Sequence, residues 1–155
     1  MVRVKYRYIL CELVTETHKN ILELPLKLFV LKQAINDSVN ELHGDFGIAC
    51  IQARFIIKVF NPITRIVVLR VDRRFHSVLS TSLPLVTSAG KLKFTIRTLH
   101  LSGTIRCALD FLVNYDKQKL CQLVQKHDIS AEDQQELSAI IANCEQKLYK
   151  IPNKK

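Results

Sequence analysis

The chain has no tryptophan, and aromatic residues make up only 7% of its 155 positions. A surface that stacks nucleobases mainly on broad aromatic rings is therefore not expected. No run of 18 apolar residues occurs, so nothing in the sequence reads as a membrane span. The first residues alternate basic with apolar side chains where a secretory signal needs an unbroken apolar block, and no membrane partner is expected. Cys11, Cys50, Cys107, Cys121 and Cys144 form an odd set without a Cys-x-x-Cys pair. Their apolar neighbours predict reduced core residues of an intracellular protein rather than a disulfide frame. His18, His43, His76, His100 and His127 are scattered outside any Cys/His metal spacing, and Asp45 and Asp72 have no partner near in sequence. His100 is the one tempting base, and it reads better as a packed or hydrogen-bonded strand-end residue. The expectation is a protein with no catalytic residue, no metal and no cofactor.

What is present is positive charge. The net charge is +9, and it is unevenly placed: residues 1–110 carry 16 Lys and Arg against 8 Asp and Glu, whereas residues 111–155 carry 7 against 6. A basic body with a near-neutral tail points first to nucleic acid, then to an anionic surface or acidic partner. The length fits one domain with a sizeable core, and 48% hydrophobic against 24% charged residues is an ordinary globular balance.

Residues 3–14 read as a first strand, in which Arg3, Lys5 and Arg7 alternate with Val4, Tyr6 and Tyr8. The basic face turns apolar at Ile9, Cys11 and Leu13. Residues 25–42 predict a helix opened by Pro25, striped by Leu28, Leu31, Ile35, Val39 and Leu42, and stopped by Gly44. Residues 47–60 and 65–71 read as strands joined by a turn at Asn61-Pro62-Ile63-Thr64. In the first of these, Ala49 to Val59 alternate on one face, opposite Gln52, Arg54 and Lys58. Asp72 is placed to cap a second helix with Phe75, Val78, Leu79, Ser82 and Leu83 inward and Pro84 at its end. Residues 91–101 predict a fourth strand with Leu92, Phe94 and Ile96 on one face. The order β-α-β-β-α-β belongs to the α+β class: a ferredoxin-like, RNA-recognition-like α/β sandwich with a four-stranded antiparallel sheet, followed by C-terminal helices. Asp116 and Ser130 are candidate caps of two such tail helices.

Residues 98–106 are the pivot of the chain. They read as a strand end, a turn around Gly103 with positive φ, and a helix opened by Ser102 or Thr104. Ile105, Ala108, Leu109 and Leu112 then fall on one helical face. Arg106 in the first turn is either a solvated arginine on a plain capped helix or part of a phosphate-contacting corner. Arg73 and Arg74, in the first turn of the second helix, pose the same choice. Arg3, Lys5, Arg7, Arg54, Lys58, Arg70, Lys93 and Arg97 fall together on the second sheet face if no bulge shifts the strand phase. With Arg73, Arg74, Ser102, Gly103, Thr104 and Arg106 they make up the candidate RNA-binding set, against the alternative of ordinary solubilising charge. Residues 1–126 are expected to form one RNA-binding domain including a third helical segment, with an amphipathic helix and short basic tail at 127–155.

Four stretches carry a family likeness: Met1-Val2-Arg3-Val4-Lys5-Tyr6-Arg7-Tyr8-Ile9-Leu10-Cys11-Glu12-Leu13-Val14; His43-Gly44-Asp45-Phe46-Gly47; Asn61-Pro62-Ile63-Thr64-Arg65-Ile66-Val67-Val68-Leu69-Arg70; and Leu99-His100-Leu101-Ser102-Gly103-Thr104-Ile105-Arg106. Over residues 1–115 the chain resembles the Pop-five family of protein subunits of eukaryotic ribonuclease P and ribonuclease MRP. The acidic C-terminal tail of some relatives is absent. The resemblance implies an RNA-binding subunit that is not itself catalytic, in particles that remove the 5′ leader of precursor tRNA or process ribosomal RNA precursors. It implies a nuclear and nucleolar location. The implied partners are structured RNA (the particle RNA, with precursor tRNA as a second candidate) and other protein subunits. The alternative within the same particle is a mainly protein-binding scaffold with incidental charge.

Overall fold

The computed structural model describes residues 4–15, 23–90 and 92–126, together with positions 135 and 139. In chain order the elements are β1 (Tyr6–Val14), α1 (Leu28–Gln52), β2 (Ile56–Asn61), β3 (Ile66–Asp72), α2 (His76–Ser82), β4 (Ser88–Ala89), β5 (Leu92–Lys93), β6 (Thr95–Ser102) and α3 (Ile105–Lys126). A single 3-10 turn, Leu83–Leu85, follows α2 with Pro84 inside it. The chain falls into two compact units, Met1–Ala108 and Leu109–Lys155. The first holds a four-stranded antiparallel sheet in the order β2-β3-β1-β6, and β4 with β5 makes a separate small hairpin turned at Gly90. This is the expected ferredoxin-like α+β arrangement.

The hydrophobic pattern explains the layering. On one face, Ile9, Cys11 and Leu13 of β1 line up with Val67, Leu69 and Val71 of β3, Ile57 of β2 and Ile96 of β6. They pack against Leu31, Ile35, Val39 and Ile51 of α1 and against Leu79 and Leu83. Each fully buried aliphatic side chain here is worth roughly 1.5–3 kcal/mol. Burial pushes the Cys11 thiol up to about 12, so it is an inert apolar group. Leu10, Ile66 and Val68, on the opposite face, are buried as well. β1 is therefore apolar on both faces, as a central strand should be.

Several expectations change. Ile9, Cys11 and Leu13 belong to the helix-facing core, not to the second, basic sheet face. α1 starts at Leu28, beyond Pro25, and Leu28 and Leu42 are exposed at its margins. Gly44 does break the helix, with φ 62° and ψ −160°, but the chain turns and resumes helix to Gln52. Residues 47–52 are thus helical rather than the start of a strand. Gly47, Ile51 and Phe55 are buried while Ala49 and Ala53 are exposed, a four-residue recurrence that outweighs the two-residue alternation. A Cβ at Gly47 would sit 2.4 Å from the Cβ of His43, so the tight corner requires glycine. β2 carries a bulge between Ile57 and Val59, which puts Phe60 opposite Val67 and Val59 opposite Val68. β6 forms a second bulge beside Leu10 and Cys11. The predicted fourth strand is divided between β5 and β6, with Leu92, Phe94 and Ile96 buried as expected.

In the second unit α3 runs without a break through Asp116, which is an internal helix residue and not a cap. Cys107 and Cys121 are exposed rather than core residues, and the expected cap at Ser130, like Cys144, lies outside the described residues. No described helix is long and apolar enough to cross a membrane.

Candidate nucleic-acid interface

Strand pairing unites positions that are far apart in sequence. Tyr6 lies opposite Asp72, and Tyr8 lies opposite Arg70 on one side and Ser102 on the other. Ile56, at the start of β2, is also opposite Arg70. The start of β1, the ends of β3 and β6 and the approach to β2 therefore meet at one end of the sheet. The Arg73 N–H donates to the Lys5 carbonyl at 2.9 Å and closes the corner. Lys5, Arg7, Arg54, Arg70, Arg73, Arg74 and Arg106 all belong to this end.

Asp72 organises its centre. Its side chain is only 5% exposed, whereas Arg54 is 37% and Arg74 is 72% exposed. The Arg74 backbone N–H donates to Asp72 Oδ1 at 3.0 Å, and Arg74 Nε approaches the same oxygen at 3.4 Å. Oδ2 accepts from Arg54 Nη1 at 2.9 Å and from Arg74 Nη2 at 3.3 Å. The Arg74 backbone hydrogen bond, then its side chain, holds the carboxyl below the usual carboxylate range, against the opposing effect of burial. Asp72 is thus not the cap of α2, and Arg73 and Arg74 are not in its first turn: that helix begins at His76 with no side-chain cap. The carboxylate is spent on an Asx turn and two guanidinium groups. The spacing Asp72-Arg73-Arg74 was the sequence signal for this turn, since an Asp side chain meets the backbone two residues on.

Beside this network, the Arg70 guanidinium carbon lies 4.4 Å from the centroid of the Tyr6 ring. Its Nε is buried and has no hydrogen-bond partner among the described residues. Tyr6 was not among the candidate residues; its place opposite Asp72 follows only from the register of β1 and β3.

The pivot has the expected helix start, with one correction. The Thr104 hydroxyl accepts the Cys107 N–H at 3.3 Å, which makes Thr104 the cap. The buried Ser102 hydroxyl instead donates to the Thr104 carbonyl at 2.9 Å and braces the turn. Gly103 does not have positive φ; among the described glycines only Gly44 and Gly90 do. A side chain at Gly103 would meet Arg7 Nη1 at 3.3 Å, so this glycine leaves space for a guanidinium group. Arg106 is exposed in the first turn.

The structure divides the remaining candidates. Arg97 is ion-paired with Glu12. Lys58 lies at the β2 bulge and Lys93 on the small hairpin, both exposed and away from the basic end. Arg3 lies outside the described residues. The cations therefore do not coat one sheet face: two bulges shift the strand phase, and Arg54 leaves the sheet altogether. Half-buried His100 lies opposite Leu10. Among the described residues no group of three or more His, Cys, Asp or Glu side chains is arranged to hold a metal ion.

A family model described as the Rpp14/Pop5 family matches residues 7–113. The human ribonuclease P/MRP protein subunit POP5 is 32% identical over 148 residues, covering 93% of this chain and 90% of the relative. The chain belongs to the Rpp14/Pop5 family. The mouse subunit of the same name is 35% identical over 129 residues, covering 81% of this chain and 75% of the relative. The Schizosaccharomyces pombe subunit is 28% identical over 141 residues, covering 86% and 97%. A chain of the yeast ribonuclease MRP cryo-EM structure superposes with a TM-score of 0.53 at 14% identity, covering 79% of this chain and 98% of that one; it bears on the fold alone. The Rpp14/Pop5 match takes in the basic end from Arg7 to Arg106, leaving out Lys5.

Proposed function

We propose that this protein is a non-catalytic, RNA-binding subunit of ribonuclease P, which removes the 5′ leader of precursor tRNA, and of ribonuclease MRP, which processes ribosomal RNA precursors. Its role is to stabilise the folded particle RNA, in the nucleus and nucleolus, alongside other protein subunits. Residues 1–126 would be the RNA-binding domain. The observation that carries this reading is the collection of Lys5, Arg7, Arg54, Arg70, Arg73, Arg74 and Arg106 around the buried Asp72 at one end of the sheet. Such a surface binds backbone phosphates through charge and shape, with little dependence on base sequence. Membership of the Rpp14/Pop5 family supports the choice of particle.

A mainly protein-binding role in the same particle draws on a different observation: Phe29 and Phe46 of α1 are each 73% exposed. Capture of the full chain from its own cells, with sequencing of co-purifying RNA and direct crosslinking, separates the two. Ribonuclease P or MRP RNA crosslinked to the chain supports the first reading. Crosslinks to protein subunits alone support the second, and recovery of neither RNA nor subunits overturns both. The purified chain should leave precursor tRNA intact.

A further inference from the structure

Building on the RNA-binding reading, we infer that Asp72 is a positioning residue, which holds the Arg54 and Arg74 guanidinium groups ready for RNA phosphates. The carboxylate is buried while Arg74 is largely exposed and Arg54 partly so, so the anchor is inside and the charge reaches the surface. Arg54 commits one of its five donors to Asp72, through Nη1, and Arg74 commits Nε and Nη2. Each keeps N–H groups for a second acceptor, and the trio retains a net charge of one positive unit. Next to it Arg70 sits over the Tyr6 ring, with a buried Nε that has no partner among the described residues. Three guanidinium groups are thus ordered before any ligand arrives. Ordering a long side chain only on binding weakens affinity by about two- to twelvefold for each one, and the fold has already met that cost here.

The inference opposes what net charge alone requires. Removing an acid makes the protein more positive, so a diffuse cloud of cations would bind RNA more tightly after Asp72→Asn. A positioned pair of arginines binds more weakly. The test uses the full-length chain titrated with fluorescent ribonuclease P RNA, transcribed from the sequence found in the chain's own cells, at one fixed salt concentration. Asp37→Asn, at an exposed site on α1, serves as the reference for a change of one charge. Asp72→Asn, which releases both arginines, should bind about 4- to 140-fold more weakly than the unsubstituted chain, while Asp37→Asn binds equally or slightly more tightly. Arg54→Lys and Arg74→Lys keep the charge and Asp72 but lose the planar fork, and each should weaken binding in the same direction. These two carry the test if Asp72→Asn does not fold. Binding by Asp72→Asn equal to or tighter than that of Asp37→Asn, or unchanged binding by both lysine variants, overturns the inference and leaves the RNA reading standing. Failure of the unsubstituted chain to bind overturns both.

Discussion

At the hairpin end of the sheet, Arg65 adopts a left-handed φ of 59°, and its guanidinium donates to the buried Thr15 hydroxyl at 2.8 Å. Its carbonyl accepts the Leu13 N–H at 2.8 Å, and the Leu24 N–H reaches the Pro62 carbonyl at 3.2 Å. A little further in, Arg97 pairs with Glu12. The opposite end has Lys5, Arg7, Arg54, Arg70, Arg73, Arg74 and Arg106, with Asp72 engaging only Arg54 and Arg74 among them. Arginine at the first end is matched to neutral oxygens or to a carboxylate and ties loops to strands. Arginine at the second end exceeds what the local fold neutralises. An excess of immobilised positive charge costs stability through self-repulsion, and an anionic ligand relieves that cost. How far the surrounding fold matches each guanidinium group, rather than the number of basic residues, separates the two ends.

The largest effect should come from removing what both ends depend on. Leu69→Ala, at a fully buried core position, should cost about 2–5 kcal/mol. Thermal melting checks this, and binding should fail together with folding. A more selective change replaces Arg54, Arg73 and Arg74 by Gln. If each meets one phosphate, the slope of log affinity against log salt should flatten by roughly 2–3. Arg65→Gln with Arg97→Gln should leave that slope unchanged and lower the melting temperature instead. The Arg97–Glu12 pair is partly exposed and contributes at most about 1 kcal/mol of that loss. Equal slopes for the two multiple variants would erase the distinction between the ends.

Acid titration sharpens the comparison. The Asp72 carboxyl is held below its unfolded value, so its stabilising contribution is fully present above about pH 4 and is lost as pH falls through the depressed folded pKa. Asp72→Asn should therefore show a shallower acid limb in stability against pH, measured by melting, than the unsubstituted chain. Arg106→Ala should change stability by less than about 0.5 kcal/mol, because the helix dipole opposes an exposed cation in the first turn. Its RNA affinity should fall if Arg106 meets phosphate; early melting with normal binding would make it structural. The smallest change belongs to Gly103→Ala. Its φ is not left-handed and its close neighbour is the flexible end of Arg7, so a shift of a few tenths of a kcal/mol in stability is expected.

The element order, the antiparallel sheet and most of the helix-facing core were legible because apolar spacing is a local property. Val67 and Leu69 opposite Arg70, and Leu92, Phe94 and Ile96 together, follow from a period of two over a few residues. The Thr104 cap was also legible, since a cap needs only its own first turn. The end of the first helix was harder to read: residues 47–52 satisfy a strand period and a helix period at once, and packing against Val39 and His43 decides between them.

By itself, the sequence determined that the chain is basic, α+β and supplied with arginines near predicted strand ends, because charge and periodicity are carried by neighbouring residues. Which arginines share a surface was decided only by tertiary structure. Two β-bulges shift side chains between faces, and the antiparallel register sets Tyr6 against Asp72 and Tyr8 against Ser102. Asp72 illustrates the difference: locally it could cap a helix, but Arg54, 18 residues earlier in the chain, gives its carboxylate a stronger partner once the sheet has formed.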